Sequence, residues 1–356
     1  MLRRLRLTSF RCHSALDLEN LGSRVLLVGA NGRGKTTILE AVSLLGRLRS
    51  FRTRTPRDLT RHGAEGWRVE GAYADEAGPV RLGVIWRGQG RELEIDARAG
   101  VSTEEFWGRA LVVVAQGGDF SIFEGGSAER RAGFDLLLAE VDSSQLVTLR
   151  RLREVARQRA TLLRQPHPSR QEWEAWTHQL AELGQILRPA REELARRFLP
   201  HLELAHRELT AGAEKLTVTY QPEAELPSEG SGRESLWNRE RERGLNLIGP
   251  QRDDWDFSLG GRSLSRFGSE GQRRSACLAV RLAELHLIRE TRKRTPLLLV
   301  DDALKELDEK RREAFWRQVP AQVQVLYASA HDRPHKGGDS WVILQISPGA
   351  ARAVPE

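Results

Sequence analysis

The stretch Val25-Leu26-Leu27-Val28-Gly29-Ala30-Asn31-Gly32-Arg33-Gly34-Lys35-Thr36-Thr37 decides the fold. Val25 to Val28 are four apolar residues that predict a buried strand. They run directly into Gly29 to Thr36, which has the GxxxxGK[ST] spacing of a phosphate-binding loop. A helical pattern follows from Thr37 to Leu45, and this strand, loop and helix context separates a P-loop from a chance glycine-rich turn. In such a loop backbone N–H groups wrap a β-phosphate, Lys35 sets a point charge against the β and γ oxygens, and Thr36 offers its hydroxyl to Mg²⁺. The expected ATP-binding residues are therefore Gly29, Ala30, Asn31, Gly32, Arg33, Gly34, Lys35, Thr36 and Thr37. Lysine usage supports the reading, because only six of the 56 basic residues are Lys and one fills the place the motif requires.

Working outward, Pro296 introduces Leu297-Leu298-Leu299-Val300, a buried strand that ends in Asp301-Asp302. Beside a P-loop this reads as a Walker B element, with Asp301 holding Mg²⁺ through water and Asp302 polarising the attacking water. A plain helix N-cap is the alternative. Upstream, Ser269-Glu270-Gly271-Gln272 opens a helix that continues through Leu278, Leu282, Leu285 and Ile288. It is a second anion-binding helix start, and one nucleotide in one chain does not need both. Ser269 and Gly271 are expected to clamp the γ-phosphate held by a partner's P-loop, so that ATP joins two copies across a two-fold axis. The competing reading is a serine N-cap followed by a glycine for close packing.

The rest of the chain alternates. Leu5–Leu7 and Leu16–Leu18 predict two meander strands, and Trp67–Tyr73, Val80–Trp86 and Arg91–Ile95 continue in period two, predicting an antiparallel sheet. Leu111 to Ala115 is a second buried run, ending at Gln116. From Glu129 to about Thr210 the pattern is helical, broken at Gln165-Pro166-His167-Pro168-Ser169. After the break Trp173, Trp176, Leu180, Leu183, Leu187, Ala190 and Leu194 step by three and four. This predicts two antiparallel helices of about 25 to 30 residues each, roughly 40 Å long. Glu223 to Glu234 reads as a loop. Across 356 residues, 39% hydrophobic and 29% charged content describes a globular chain without a run of about 18 apolar residues, so a cytoplasmic location is expected. A formal charge of +7 favours a polyanionic partner such as DNA. Cys12 and Cys277 lack metal-ligand spacing and are expected to be idle thiols.

Taken together, GxxxxGKT, a Gln at a strand end, S-x-G-Q before LLLVDD, and Glu306-Leu307-Asp308 after it resemble the ATP-binding-cassette (ABC) ATPase head of the SMC class. SFRCHSALDLE, LLGRLRSFRT and GPQRDDWDFSLGGRS bring the resemblance closer, to the RecF family of bacterial recombination mediators. The resemblance implies an α/β fold: an ABC-type head with a P-loop core sheet, an antiparallel N-terminal sheet and a helical lobe with a short antiparallel helical arm. On this reading residues 1–115 with 287–356 form the ATPase lobe, and 116–286 form the helical lobe, with the arm at about 129–210. It further implies ATP and Mg²⁺ as cofactors, an ATP-dependent homodimer, and DNA binding at duplexes and gaps. RecR, and through it RecO and RecA, are the implied protein partners in repair and at stalled forks.

Residue by residue, the resemblance makes Gln116 the Q-loop residue and a metal contact, Ser269, Gly271 and Gln272 the trans signature, Asp308 the D-loop residue and His331 the switch residue. Lys35, Gln116, Asp302 and His331 would be catalytic, and Thr36, Asp301 and Gln116 would hold the metal. The chain reads Gln116-Gly117-Gly118-Asp119 where the family shows serine-proline-glutamate-aspartate. Asp302 stands where transporter heads carry glutamate, so slow DNA-dependent hydrolysis is expected, a timer more than a motor. An SMC-like DNA-end tether, a transporter subunit and a non-hydrolysing ATP-glued DNA clamp are the alternatives. The short arm argues against the tether, the basic charge against the transporter, and substitution of Asp302 tests the clamp.

Overall fold

A parallel sheet is the frame of the molecule. Its strands lie in the order Ala350–Val354, Val342–Ser347, Arg24–Val28, Val325–Ala328, Leu297–Asp301 and Val112–Gln116. All neighbours run parallel except the first pair. The unbroken apolar runs seen in sequence are what parallel strands covered on both faces require. Register sets Asp301 beside Gln116 and Leu298 beside Val325. The loop after Val28, the end of Leu297–Asp301 and the end of Val112–Gln116 therefore share one edge of the sheet, where open α/β sheets bind ligands. The helix Lys35–Arg47 leaves that edge with every residue except Thr36 buried. It approaches the sheet so closely that a Cβ on Gly46 would lie 2.4 Å from Val112 Cγ2.

This computed structural model describes residues 1–75, 78–118, 120–212, 214–329 and 340–354. The chain divides into two units, Met1–Asp119 with Leu278–Glu356, and Phe120–Cys277. The boundary falls inside the helix Glu270–Arg292.

The first unit also holds an antiparallel sheet in the order His13–Leu18, Leu2–Phe10, Trp67–Asp75, Gly78–Trp86, Arg91–Ile95 and Arg98–Ala99. A register shift between Leu2 and Arg4 puts both Leu2 and Leu5 on the inner face, three apart instead of two. Leu5, Leu7 and Phe10 join Val69, Val84 and the P-loop helix in one core. The outer face of the same strand carries Arg4 and Arg6, both paired with Asp17.

In the second unit the helices Gln145–Leu163 and Arg170–Thr210 form the arm. They are unequal, 19 and 41 residues, where two helices of similar length were expected. Asp142 ends the preceding helix Ser127–Val141 and shortens the first arm helix, whereas Pro189 and Pro200 sit inside the second without ending it. The helix Ser231–Arg243 begins within the stretch expected to be loop. Three strands, Arg262–Ser263, Asp254–Leu259 and Leu216–Gln221, form a small antiparallel sheet.

Two buried arginines fix this unit. Arg159 is fully buried, gives both Nη atoms to Glu240, and bonds Asn246 Oδ1 and Thr177 Oγ1. Its Cζ lies 4.9 Å from the Trp173 ring centroid. Arg191 joins Asp135 at 2.8 Å and Asp253 at 2.6 Å. Buried charges are tolerated when paired and hydrogen-bonded in this way.

Candidate nucleotide site

The site grows from the end of the strand Arg24–Val28. Gly29, Gly32 and Gly34 all have positive φ, at 145°, 77° and 101°. Two of them are also required by space: a Cβ on Gly29 would stand 2.8 Å from the Ile346 carbonyl oxygen, and one on Gly34 would stand 2.3 Å from His13 Nε2. Gly34 caps the helix Lys35–Arg47 in the left-handed region, with no side-chain cap and no acidic residue in the first turn. Among the described residues the first N–H groups of that helix thus have no side-chain cap at the positive end of its dipole, the arrangement that receives a phosphate.

Lys35 is 6% exposed. Its ammonium donates to the carbonyls of Gly29 at 2.6 Å and Ala30 at 3.2 Å, folded over the loop it belongs to. The Thr36 hydroxyl donates to Asp301 Oδ1 at 2.9 Å, which ties the helix start to the end of the strand Leu297–Asp301. The Asp301 carboxyl is pushed up to about 6: burial is the main cause, Thr36 opposes it, and the neighbouring Asp302 adds to it. Gly117 N donates to the Asp301 carbonyl at 2.9 Å, so Gln116 ends its strand next to Asp301. Asp302 has φ 49°, donates its N–H to the Ala328 carbonyl at 3.1 Å, and keeps a buried Oδ1 without a hydrogen-bond partner among the described residues.

The site thus offers oxygen donors only, a hydroxyl, two carboxylates and the Gln116 amide, one of them a buried oxygen without a partner. That is the donor set of Mg²⁺, which takes a few protein oxygens and leaves the rest of its shell to water and phosphate. The residues fit the ion.

Structure assembles Gly29 to Thr37, Asp301, Asp302 and Gln116 at one edge. Asp308 stands farther along the chain as the N-cap of the helix Glu309–Gln318, accepting from Arg311 N at 2.9 Å. His331 lies outside the described residues. Ser269, Gly271 and Gln272 belong to the second unit. There Gln272 N bonds Ser269 Oγ at 3.3 Å, Ser269 N bonds Gln272 Oε1 at 2.8 Å, and Gln272 Nε2 bonds Glu214 at 2.6 Å. Ser269 therefore caps its helix in the single chain. Gly271 behaves differently, since a Cβ there meets nothing within 4 Å and no packing among the described residues requires a glycine. Two residues before Ser269, Phe267 is 71% exposed.

Sequence reasoning missed Glu40 and His13. Glu40 is fully buried on the P-loop helix, bonded by Arg11 at 2.8 Å and 3.0 Å, contacted by Arg52 at 3.5 Å, and bonded by the Ser50 hydroxyl. Arg52 also draws the Asp301 carboxyl downward, so this basic residue serves the site as well as the surface. The signal was available: Glu40 is the one carboxylate in the run Ile38 to Leu45, which is apolar but for it and Ser43, and a buried charge must be paired.

No family profile matches the chain. Among curated proteins it is 32% identical over 374 residues to the DNA replication and repair protein RecF of Synechococcus sp. strain JA-2-3B'a(2-13), covering 98% of this chain and 96% of the relative. The chain belongs to the RecF family. The RecF protein of Thermosynechococcus vestitus is likewise 32% identical, over 100% of this chain and 98% of that one. The fold follows the family. A solved structure of the recombination mediator protein RecF with ATP, in the RecFOR pathway, superposes with a TM-score of 0.87 at 23% identity, covering 99% of this chain and 97% of the other. The Smc head domain of Pyrococcus furiosus is more distant, with a TM-score of 0.56 at 15% identity. The architecture is an ABC-type head with a P-loop core sheet, an antiparallel N-terminal sheet and a helical lobe carrying an antiparallel arm.

Proposed function

We propose that this chain is an ATP-dependent, DNA-binding clamp of recombinational repair that dimerises head to head on ATP, lies in the cytoplasm, and is reset by slow DNA-dependent hydrolysis. The observation that carries the reading is the Thr36 hydroxyl on Asp301 at 2.9 Å, at the mouth of a glycine loop whose helix start has no side-chain cap. Family membership supplies the process, because curated relatives bear the name DNA replication and repair protein. The fold is shared with solved structures of the recombination mediator protein RecF bound to ATP in the RecFOR pathway.

In this reading Lys35 leaves the Gly29 and Ala30 carbonyls for the β and γ oxygens, and the N–H groups of Gly32 to Thr36 surround the β-phosphate. Thr36, Asp301 and Gln116 would hold Mg²⁺, which supplies charge neutralisation and phosphate orientation when bound. Asp302 orients the attacking water, assisted by His331. Ser269, Gly271 and Gln272 face the γ-phosphate on the partner's P-loop, and Asp308 lies across the same two-fold. Residues 1–115 with 287–356 act as the ATPase lobe and 116–286 as the helical lobe. RecR is the proposed protein partner, through which RecO and RecA are reached at gaps and stalled forks.

The test is the solution mass by light scattering, with and without ATP and Mg²⁺, for the wild type, Ser269→Arg and Gly271→Arg. ATP should convert monomer to dimer in the wild type and in neither variant. Gly271→Arg should keep the wild-type melting temperature, because its side chain enters open space. A mass that ignores ATP while ATP still binds would overturn the shared site.

A further inference from the structure

The ladder between the strands Leu297–Asp301 and Val112–Gln116 runs one step past their ends. Asp301 and Gln116 are the last paired residues, and Gly117 then donates its N–H to the Asp301 carbonyl at 2.9 Å. That bond draws the Gly117 Cα onto the Asp302–Ala303 peptide. A Cβ at Gly117 would stand 2.7 Å from the Asp302 carbonyl oxygen, 3.1 Å from the Asp302 carbonyl carbon and 3.5 Å from Ala303 Cα. All three atoms are backbone, so no side-chain rotation relieves the contact. Gly117 is not among the residues with positive φ, which makes space rather than conformation the reason for a glycine here.

The Asp302–Ala303 peptide is held from other sides as well. Asp302 N donates to the Ala328 carbonyl at 3.1 Å, and Lys305 N donates to the Asp302 carbonyl at 3.3 Å. Ala303 and Leu304, which follow, are both buried. The Asp302 backbone therefore lies between the strand end at Ala328 and Gly117, in the left-handed region at φ 49°. A residue other than glycine persists there when its surroundings hold it in place. The Asp302 side chain has a weaker restraint: its Oδ1 is buried without a hydrogen-bond partner among the described residues. A carboxylate with an untied oxygen takes its direction from its backbone, and misplacing a reacting group by about 1 Å can cost about 100-fold in rate.

We infer that Gly117 is a positioning residue for Asp302. The side chain it lacks is the space that the Asp302 carbonyl fills, and this backbone wedge sets the direction of the carboxylate. The contribution is separate from that of Gln116, which would act through its side-chain amide. For its consequence the inference rests on the proposed hydrolysis, whereas the contact itself does not. The phosphates are expected on Gly29 to Thr36, which follow a different strand, so the wedge bears on the rate of hydrolysis and not on the binding of nucleotide.

The test compares four full-length proteins, the wild type, Gly117→Ala, Asp302→Gly and the double variant, by ADP affinity in EDTA, single-turnover hydrolysis of Mg-ATP and melting temperature. Gly117→Ala should bind ADP as tightly as the wild type and hydrolyse bound ATP at least about tenfold more slowly. It should also melt below the wild type, because the added Cβ displaces the Asp302 peptide. In the Asp302→Gly background the same methyl group should lower the melting temperature much less, since a glycine at 302 can turn its carbonyl away. Equal falls in both backgrounds would overturn the wedge, because the methyl would then strain only its own loop. Hydrolysis by Gly117→Ala at the wild-type rate would overturn the positioning role. A wild type that hydrolyses no ATP would overturn the proposed reset instead, and the melting comparison, which needs no hydrolysis, would still decide the wedge.

Discussion

His13 shows how one side chain behind the P-loop can carry pH dependence. It is fully buried, its Nδ1 accepts from Gly349 N at 3.1 Å, and its Nε2 faces the Gly34 carbonyl at 3.4 Å. Only the neutral tautomer with hydrogen on Nε2 serves both neighbours, because protonating Nδ1 would set a donor against the Gly349 N–H. Burial lowers the imidazole pKa below its usual 6.5, and the Gly34 carbonyl opposes this without winning. A base with a depressed folded pKa binds fewer protons folded than unfolded, so its contribution is complete above about 6.5 and falls as pH drops toward the folded pKa. The wild type should lose stability between about pH 6.5 and 5 at no more than about 1.4 kcal/mol per pH unit from this group. His13→Gln should flatten that part of the profile while lowering the plateau. Parallel melting profiles for the two proteins over this range would refute the assignment. Gly34 and His13 are also coupled sterically, since the missing Cβ is what lets the ring approach the loop.

At the scale of elements, the helical arm depends on charges that a sequence pattern cannot locate. Trp173, Leu180, Leu187 and Leu194 follow the heptad-like steps and are buried, so the arm's existence was legible. Leu183 belongs with them, but Thr177 and Arg191 were not legible, because they fill places the pattern gave to Trp176 and Ala190, which are only partly buried. Arginine normally marks a surface, and only the fold reveals that Arg159 meets Glu240 from a helix 81 residues away in sequence. The P-loop edge was legible for the opposite reason: its residues are bound by local spacing, and the parallel register needs only apolar runs. Glu240→Ala should cost about 3–5 kcal/mol by leaving Arg159 buried without its carboxylate. The double change Arg159→Met with Glu240→Leu should recover most of that loss. Hydrogen exchange over residues 145–163 is the readout that places the effect on the arm; equal destabilisation by the single and double variants would show that the pair matters for packing rather than for charge.

For the whole molecule, the formal charge of +7 and the proposed ATP-driven dimer make nucleotide state and DNA occupancy one linked equilibrium. Asp302 is the residue on which that linkage can be cut. Its backbone is held by the Ala328 carbonyl, and its φ of 49° suits asparagine at least as well as aspartate. Asp302→Asn should therefore fold normally and bind ATP, while losing the carboxylate that orients water. The expected result is hydrolysis at least about 100-fold slower, the scale of one general-base or water-orienting group, with the ATP-bound dimer remaining on DNA after the wild type has released it. Salt dependence then separates a trapped clamp from a tighter one. DNA affinity falls with log salt at a slope of about −0.9 per phosphate contacted, and Asp302 contributes to none of those contacts in the proposed site. The variant and the ATP-bound wild type should share one slope and differ only in release rate. A steeper slope in Asp302→Asn would mean that the substitution had added phosphate contacts, and the timer would have to be abandoned in favour of a clamp in which ATP serves only to hold the dimer together.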